Sequence, residues 1–281
     1  MGGSVLVGLI VVACAEGTSE DPIETPGGAD AAQLEASLPG KDAALPPPPE
    51  KDAGAVESGP TVSAACTAAL AKASFDFEAD QGWTHVASDN ALSANASWPY
   101  DGWTRGNSTT LACPDTLCWG SERTQNYSQC GRGELISPKI DLSACTGETV
   151  TLRFTHAYAF WTGSFGGTAY FDGGIVEISK DDGVTWAVPN GTYPGTVKIL
   201  ATRNGFDCVL PNNFHVHNKM GFTGTQTTPV TVDLEVPAAS ITDKMRIRFS
   251  QASGVSTEIN GNARSGTAAG WRVDDVKLVV K

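Results

Sequence analysis

Charge is scarce in this chain: Asp, Glu, Lys and Arg together make up 18% of its 281 residues, below the quarter usual for a soluble globular domain. Histidine numbers only 4 and methionine 3. No His-Glu-x-x-His stretch occurs, which excludes the helix-borne zinc pair of that metallopeptidase class. No Gly-x-Ser-x-Gly occurs, which excludes the nucleophile elbow of an α/β-hydrolase. Helical periodicity is missing beyond one short stretch, Val62 to Lys72, so all-α and alternating α/β architectures are excluded too. The longest apolar run, Val5 to Ala13, is too short to span a bilayer. Met1-Gly2-Gly3-Ser4 holds no Lys or Arg where an export signal carries its positive segment, an absence that would put the true start upstream.

What is present begins with that apolar run. It ends in Val11-Val12-Ala13-Cys14, which resembles a bacterial lipobox. Residues 1–13 are then a lipoprotein signal peptide, and Cys14 is the lipidated residue whose acyl chains hold the protein on a membrane. Ala15, not Asp, follows Cys14, so the inner-membrane retention signal is missing and the outer membrane is the expected location in a bacterial envelope.

Residues 14–65 read as a disordered tether, rich in Ala, Pro and Gly and poor in anything that could form a core. Leu45-Pro46-Pro47-Pro48-Pro49 is locally polyproline II. Ten acids stand against two lysines between Ala15 and Ala65, so the tether carries most of the chain's net charge of −12. A spacer of that sign keeps its cargo off an anionic lipid surface and argues against nucleic acid as a partner.

Cys14 aside, six cysteines remain: Cys66, Cys113, Cys118, Cys130, Cys145 and Cys208. An even number in an exported chain predicts three disulfides, with fifteen pairings open. Zinc is the rival reading, but Cys113-x4-Cys118 has no second pair at matching spacing.

From Cys66 to Lys281 the chain reads as one domain of short strands with Gly, Asn and Asp turns between them. Strand patterns cover Ser74–Glu78, Val150–Tyr158, Gly174–Ser179, Val197–Thr202, Val230–Leu234, Met245–Ser250 and Gly270–Val280. Seven or more such strands predict an all-β fold, an antiparallel β-sandwich. Residues 87–132 and 203–228 are long for loops, and most of the cysteines lie in or beside them.

Five motifs in order then carry a resemblance: Ser74-Phe75-Asp76-Phe77-Glu78 with Gln81-Gly82-Trp83; Leu135-Ile136-Ser137-Pro138-Lys139-Ile140-Asp141-Leu142-Ser143; Asp172 to Trp186; Met245-Arg246-Ile247-Arg248-Phe249; and Gly270-Trp271-Arg272-Val273-Asp274-Asp275-Val276. Together they resemble the MAM-like and galactose-binding-like jelly-roll modules of bacterial surface proteins, including the accessory domain of immune-inhibitor-A-type metallopeptidases. The likeness implies a jelly-roll sandwich that binds a glycan or a surface protein without catalysis. It also implies a structural calcium pinning the first strand to the last. The matching residues are Glu78, with Asp80 nearby, and the Asp274-Asp275 pair. Calcium accepts mixed carboxylate and carbonyl oxygens. Adjacent strand residues point to opposite faces, so at most one of Asp274 and Asp275 faces inward.

Aromatic residues gather in two loop regions, where large rings cap the ends of a sandwich as core or, if a glycan groove exists, line it through Trp98, Tyr100, Trp103 and Trp161. Ser179-Lys180-Asp181-Asp182-Gly183-Val184-Thr185-Trp186 has the Asp-box pattern in a single copy, which reads as a structural hairpin. His156 shares a face with Leu152 and Phe154 and is expected inside the core, while His215-x-His217 is a candidate metal pair. Arg246, Arg248 and Arg272 read as a solvated sheet face with cross-strand partners at Glu177 and Asp233. Two competing readings are a hydrolase acting on glycans or peptides, with an Asp/Glu pair brought together by the fold, and a structural subunit of a surface assembly.

Overall fold

The computed structural model describes residues 62–87, 102–127, 131–164, 168–169, 172–198, 202–203, 206–207, 216–254 and 268–281. Ten strands build the two main sheets: β1 (Ser74–Phe75), β2 (Thr84–Ala87), β3 (Trp103–Gly106), β4 (Cys118–Ser121), β5 (Arg132–Ile136), β6 (Val150–Ala159), β7 (Gly173–Ser179), β8 (Thr225–Glu235), β9 (Arg246–Ala252) and β10 (Gly270–Val280). One sheet runs β8-β6-β10-β4-β3, with β1 also paired to β10; the other runs β2-β5-β9-β7. Every pairing in both sheets is antiparallel. From β5 to β10 each successive strand lies in the opposite sheet. The chain is therefore an all-β sandwich in which connections cross between layers, as in a jelly roll.

The core explains why these segments pair. Inward positions of the long strands carry large apolar side chains: Leu152 and Phe154 on β6, Val176 and Ile178 on β7, Ile247 and Phe249 on β9, Trp271 and Val273 on β10, all fully or nearly fully buried. Aromatic edges meet faces throughout, as in Phe154–Phe249 at 5.2 Å and Phe249–Trp271 at 5.5 Å, each near-perpendicular. Such pairs add roughly 0.5–1.5 kcal/mol each beyond the area they bury. Gly174 lets the sheets close around Trp271, because a Cβ there would lie 2.3 Å from the indole ring.

The expected short helix is α1, Ala64–Ala71, with Ser63 as its N-cap: the hydroxyl oxygen accepts the backbone N–H of Cys66 at 3.1 Å. Cys66 is buried and bonded to Cys145, in a 3-10 turn at Ser143–Cys145, so one disulfide fixes the helix to the β5–β6 connection. A second disulfide joins Cys113 to Cys118.

Three expectations need correction. The strand predicted over Ser74–Glu78 stops at Phe75, because Phe77 takes a positive φ of 57° and turns the chain. The strand predicted over Val197–Thr202 is not formed at Val197 and Lys198; Val197 is instead buried with Ile175, Val216 and Ala252 over the outer side of the second sheet. Arg272 does not sit on a solvated face. It is fully buried, because Ser108 and Thr110 of the β3–β4 connection and the carbonyls of Ser121 and Glu122 at the end of β4 enclose its guanidinium. Residues 1–61, with Cys14 and the tether as far as residue 61, lie outside the described residues, as do Trp98, Tyr100, Cys130, Cys208 and His215, while the last residues given to the tether open α1.

Candidate functional site

The first candidate lies where β1 meets β10. Ser74 pairs with Lys277 and Phe75 with Val276. Register slips between Asp274 and Lys277. That bulge puts Asp275 at φ 51° and separates the two acids: Asp274 is fully buried and Asp275 is exposed. Oδ1 of Asp274 accepts the N–H of Asp275 at 2.8 Å, while its Oδ2 is buried without a hydrogen-bond partner. Burial pushes this carboxyl up to about 7, against the pull of the Asp275 and Asp115 N–H groups, and the negative charges of Asp275 and Asp115 add to the rise.

Glu78 is exposed, and its Oε1 accepts the N–H of Leu117 at 3.0 Å, which ties the turn after β1 to the loop before β4. Asp80 has a local task, accepting the N–H of Gly82 at 3.0 Å. The carbonyl of Phe77 accepts from Arg105 at 3.1 Å. Among the described residues no three His, Cys, Asp or Glu side chains converge as a ready-made metal cage. The orphaned Asp274 oxygen is nevertheless what a cation would satisfy, because an added positive charge reverses the burial penalty of a carboxylate.

The second candidate lies at the loop end of the sandwich. Asp172, just before β7, is buried without a cationic partner. Its Oδ2 accepts from Tyr127 Oη at 2.5 Å, its Oδ1 accepts the N–H of Gly254 at 2.7 Å, and its carbonyl accepts from Thr223 Oγ1 at 2.9 Å. Burial raises its carboxyl to about 7, and the same burial, with the Asp172 charge beside it, pushes the Tyr127 phenol well above its ordinary value. Tyr127 Oη in turn accepts the backbone N–H of Trp161 at 2.8 Å. Asp172, through its carboxylate and its backbone carbonyl, thus ties together residues 127, 172, 223 and 254, and Tyr127 extends the link to Trp161. Nothing in the sequence spacing marks this knot; its members come together only because β6 and β9 end, and β7 and β8 begin, on the same side.

Of the four residues expected to line a glycan groove, Trp161 is half-buried at this end. Trp103 is fully buried and packs against Trp271, with ring centroids 6.0 Å apart. It belongs to the core and offers no face for stacking on a sugar, so of the two readings of the aromatics the core one holds for Trp103 and its place in a glycan groove is withdrawn. His156 is buried as expected, and its Nδ1 accepts the indole N–H of Trp271 at 3.1 Å.

The Asp-box segment is the hairpin the sequence suggested. Asp181 Oδ1 accepts from Ser179 Oγ and from the N–H of Thr185, and its Oδ2 accepts from Thr185 Oγ1 at 2.6 Å. Asp182 and Gly183 both take positive φ in the turn. Beside it, on the outer side of the second sheet, Arg248 donates to Glu177 at 2.9 Å and to Glu134 at 3.1 Å and lies 4.1 Å over the Trp186 ring. Lys219 reaches the same Glu177 at 2.7 Å. The Arg248–Glu177 pair is the expected cross-strand one, but it is buried; Asp233 pairs with Arg153 instead, at 2.7 and 2.8 Å on the surface. Compared with known proteins, this chain matches no protein-family model and is significantly similar to no curated protein.

Proposed function

We propose that this chain is a non-catalytic, lipid-anchored protein of the bacterial cell envelope, most consistent with the outer membrane, whose β-sandwich binds a glycan or a surface protein and carries a structural calcium ion. Acylated Cys14 and the acidic tether would hold the sandwich clear of the membrane. The observation that carries the binding reading is Trp161. Its indole is half-buried, and its backbone is held by Tyr127, which is itself locked to buried Asp172. An aromatic side chain fixed in this way has part of its ordering cost met before a ligand arrives, and exposed rings of that kind stack on the apolar C–H faces of sugars.

A glycan array probed with the full chain and with Trp161→Ala tests the reading. A specific hit that the substitution abolishes is expected. A hit that survives it removes Trp161 from the site, and an array without hits leaves the glycan reading overturned. Calcium is supported by the orphaned Asp274 oxygen where the first strand meets the last. Thermal melting with calcium and with a chelator should differ by several degrees, and identical curves would remove the ion from the proposal. The anchor predicts that Cys14→Ser leaves the membrane fraction.

A further inference from the structure

The arginines of the two sheets divide by their partners. Arg153, Arg246 and Arg248 each meet a carboxylate, at Asp233, Asp182 and Glu177. Arg123 and Arg272 meet none among the described residues. Arg272 is fully buried and gives every donor to a hydroxyl or a carbonyl. Arg123 Nε donates to Thr104 Oγ1 at 2.9 Å and Nη1 to the Asn107 carbonyl, so its Nη2 has no hydrogen-bond partner among the described residues. The two side chains lie side by side on a floor of glycine, on the outer face of the first sheet. A Cβ at Gly120 would lie 2.7 Å from Cδ of Arg272 and 2.8 Å from Cγ of Arg123. One at Gly106 would lie 2.8 Å from Nη1 of Arg123. Thr104 pairs with Gly120 and Gly106 with Cys118, so β3 and β4 carry both glycines on one face. Glu122, whose charge acts on Arg272, offers it a backbone carbonyl and not its carboxylate. Thr104, Asn107, Thr109 and Thr110 form an exposed polar rim bonded to Arg123.

We infer that Arg123, backed by buried Arg272, binds the anionic group of an acidic glycan, a uronate carboxylate or a sulfate ester. The inference deepens the glycan reading given above and rests on it. Two cations held side by side without a counter-charge repel one another, and a bound oxyanion offsets that repulsion. The guanidinium is a planar fork of N–H donors that matches the paired oxygens of such groups. Hydroxyls of Thr104, Thr109 and Thr110 supply neutral hydrogen bonds of the kind that sugar hydroxyls take up. Arg123 is also joined to Trp161 through Tyr127, whose Oη accepts the Trp161 N–H. Tyr127 follows Arg123 within a chain reach of no more than about 14 Å. An oligosaccharide of a few sugars spans such a distance, with a ring on the Trp161 indole and its acid on Arg123.

The test is biolayer interferometry of the immobilised full chain with polygalacturonate, dextran sulfate and unmodified dextran, which carry carboxylate, sulfate and no charge. It is repeated on Arg123→Gln, on Arg123→Lys, and on Arg153→Gln as an exposed control that loses the same charge. Near-ultraviolet circular dichroism follows the fold of each protein. The native chain should bind one acidic polymer at least about 10-fold tighter than dextran, and salt should weaken that complex. Arg123→Gln should weaken it by about 10- to 100-fold, Arg123→Lys should retain part of the affinity, and Arg153→Gln should change nothing. The polymer that responds identifies the group as carboxylate or sulfate. Native affinity in Arg123→Gln overturns the assignment of Arg123 and leaves glycan binding standing. Equal affinity for dextran overturns the acidic class, again with glycan binding intact. No binding to any of the three polymers overturns this inference, and the glycan array then decides the broader reading by itself.

Discussion

Between neighbouring strands of the first sheet, Trp271 on β10 donates its indole N–H to Nδ1 of His156 on β6, at 3.1 Å. The imidazole also meets Phe222 edge to face, with centroids 4.4 Å apart, and packs against Phe154 at 5.0 Å. An apolar surrounding of this kind disfavours the charged ring, and burial lowers the His156 pKa from 6.5 to about 3.

Acid sensitivity follows from that value. The unfolded chain takes up a proton at His156 below about pH 6.5, while the folded chain resists it down to about 3. The stabilising contribution is therefore complete above the unfolded value and is lost as pH falls from 6.5 toward 3. His156→Phe removes the acceptor of the Trp271 N–H and should cost on the order of 1–3 kcal/mol at pH 7. In guanidinium unfolding the deficit should shrink at pH 4, because the variant escapes the proton penalty. A deficit equal at both pH values would contradict a neutral buried ring.

Asp172 predicts the opposite slope. Its carboxyl is raised from 3.8 to about 7, so the folded state holds a proton that the unfolded state releases. Its contribution is complete below about pH 3.8 and is lost as pH rises toward 7. Asp172→Asn, which mimics the protonated form, should therefore compare worst with the native chain at pH 4 and best at pH 8. The span should be on the order of 2–4 kcal/mol. Urea unfolding at the two pH values measures it.

Arg272 holds the covering loop through its whole guanidinium. Nε donates to Ser108 Oγ, Nη1 to the carbonyls of Ser121 and Trp271, and Nη2 to Thr110 Oγ1 and the Glu122 carbonyl. None of these partners is a carboxylate, and burial lowers the Arg272 pKa to about 10. Lysine has three donors on a point charge and cannot reproduce a planar fork. Arg272→Lys should cost about 2–4 kcal/mol and raise hydrogen exchange at residues 107–123 before the rest of the sandwich opens. Exchange that stays uniform across the domain would deny Arg272 this local role.

The two disulfides should differ in weight. Cys66–Cys145 closes a sequence separation of 79 and Cys113–Cys118 one of 5. Loop-closure entropy assigns roughly 4–5 kcal/mol to the longer and about 2 kcal/mol to the shorter. Cys66→Ser/Cys145→Ser should therefore lower the melting temperature about twice as far as Cys113→Ser/Cys118→Ser. The reverse order would show that loop entropy does not govern either bond.

Much of the architecture is legible in residue order. The alternation of Leu152 and Phe154, of Ile247 and Phe249, and of Val176 and Ile178 marks which faces go inward, because period-2 burial is a local property of the strand. Ser63 before an alanine-rich stretch marks the helix, and Ser179 to Trp186 marks its hairpin, since each is closed by hydrogen bonds within a few residues. Tertiary structure decided the rest. Arg272 reads as a surface charge until Ser108 and Thr110 close over it, and Trp103 reads as a ligand platform until Trp271 packs against it. Arg123 and Asp172 become notable only through neighbours many residues away: Arg272 for the one, Tyr127 and Gly254 for the other. Periodicity reports which way a side chain points, but burial and pKa depend on what the crossing connections lay over it.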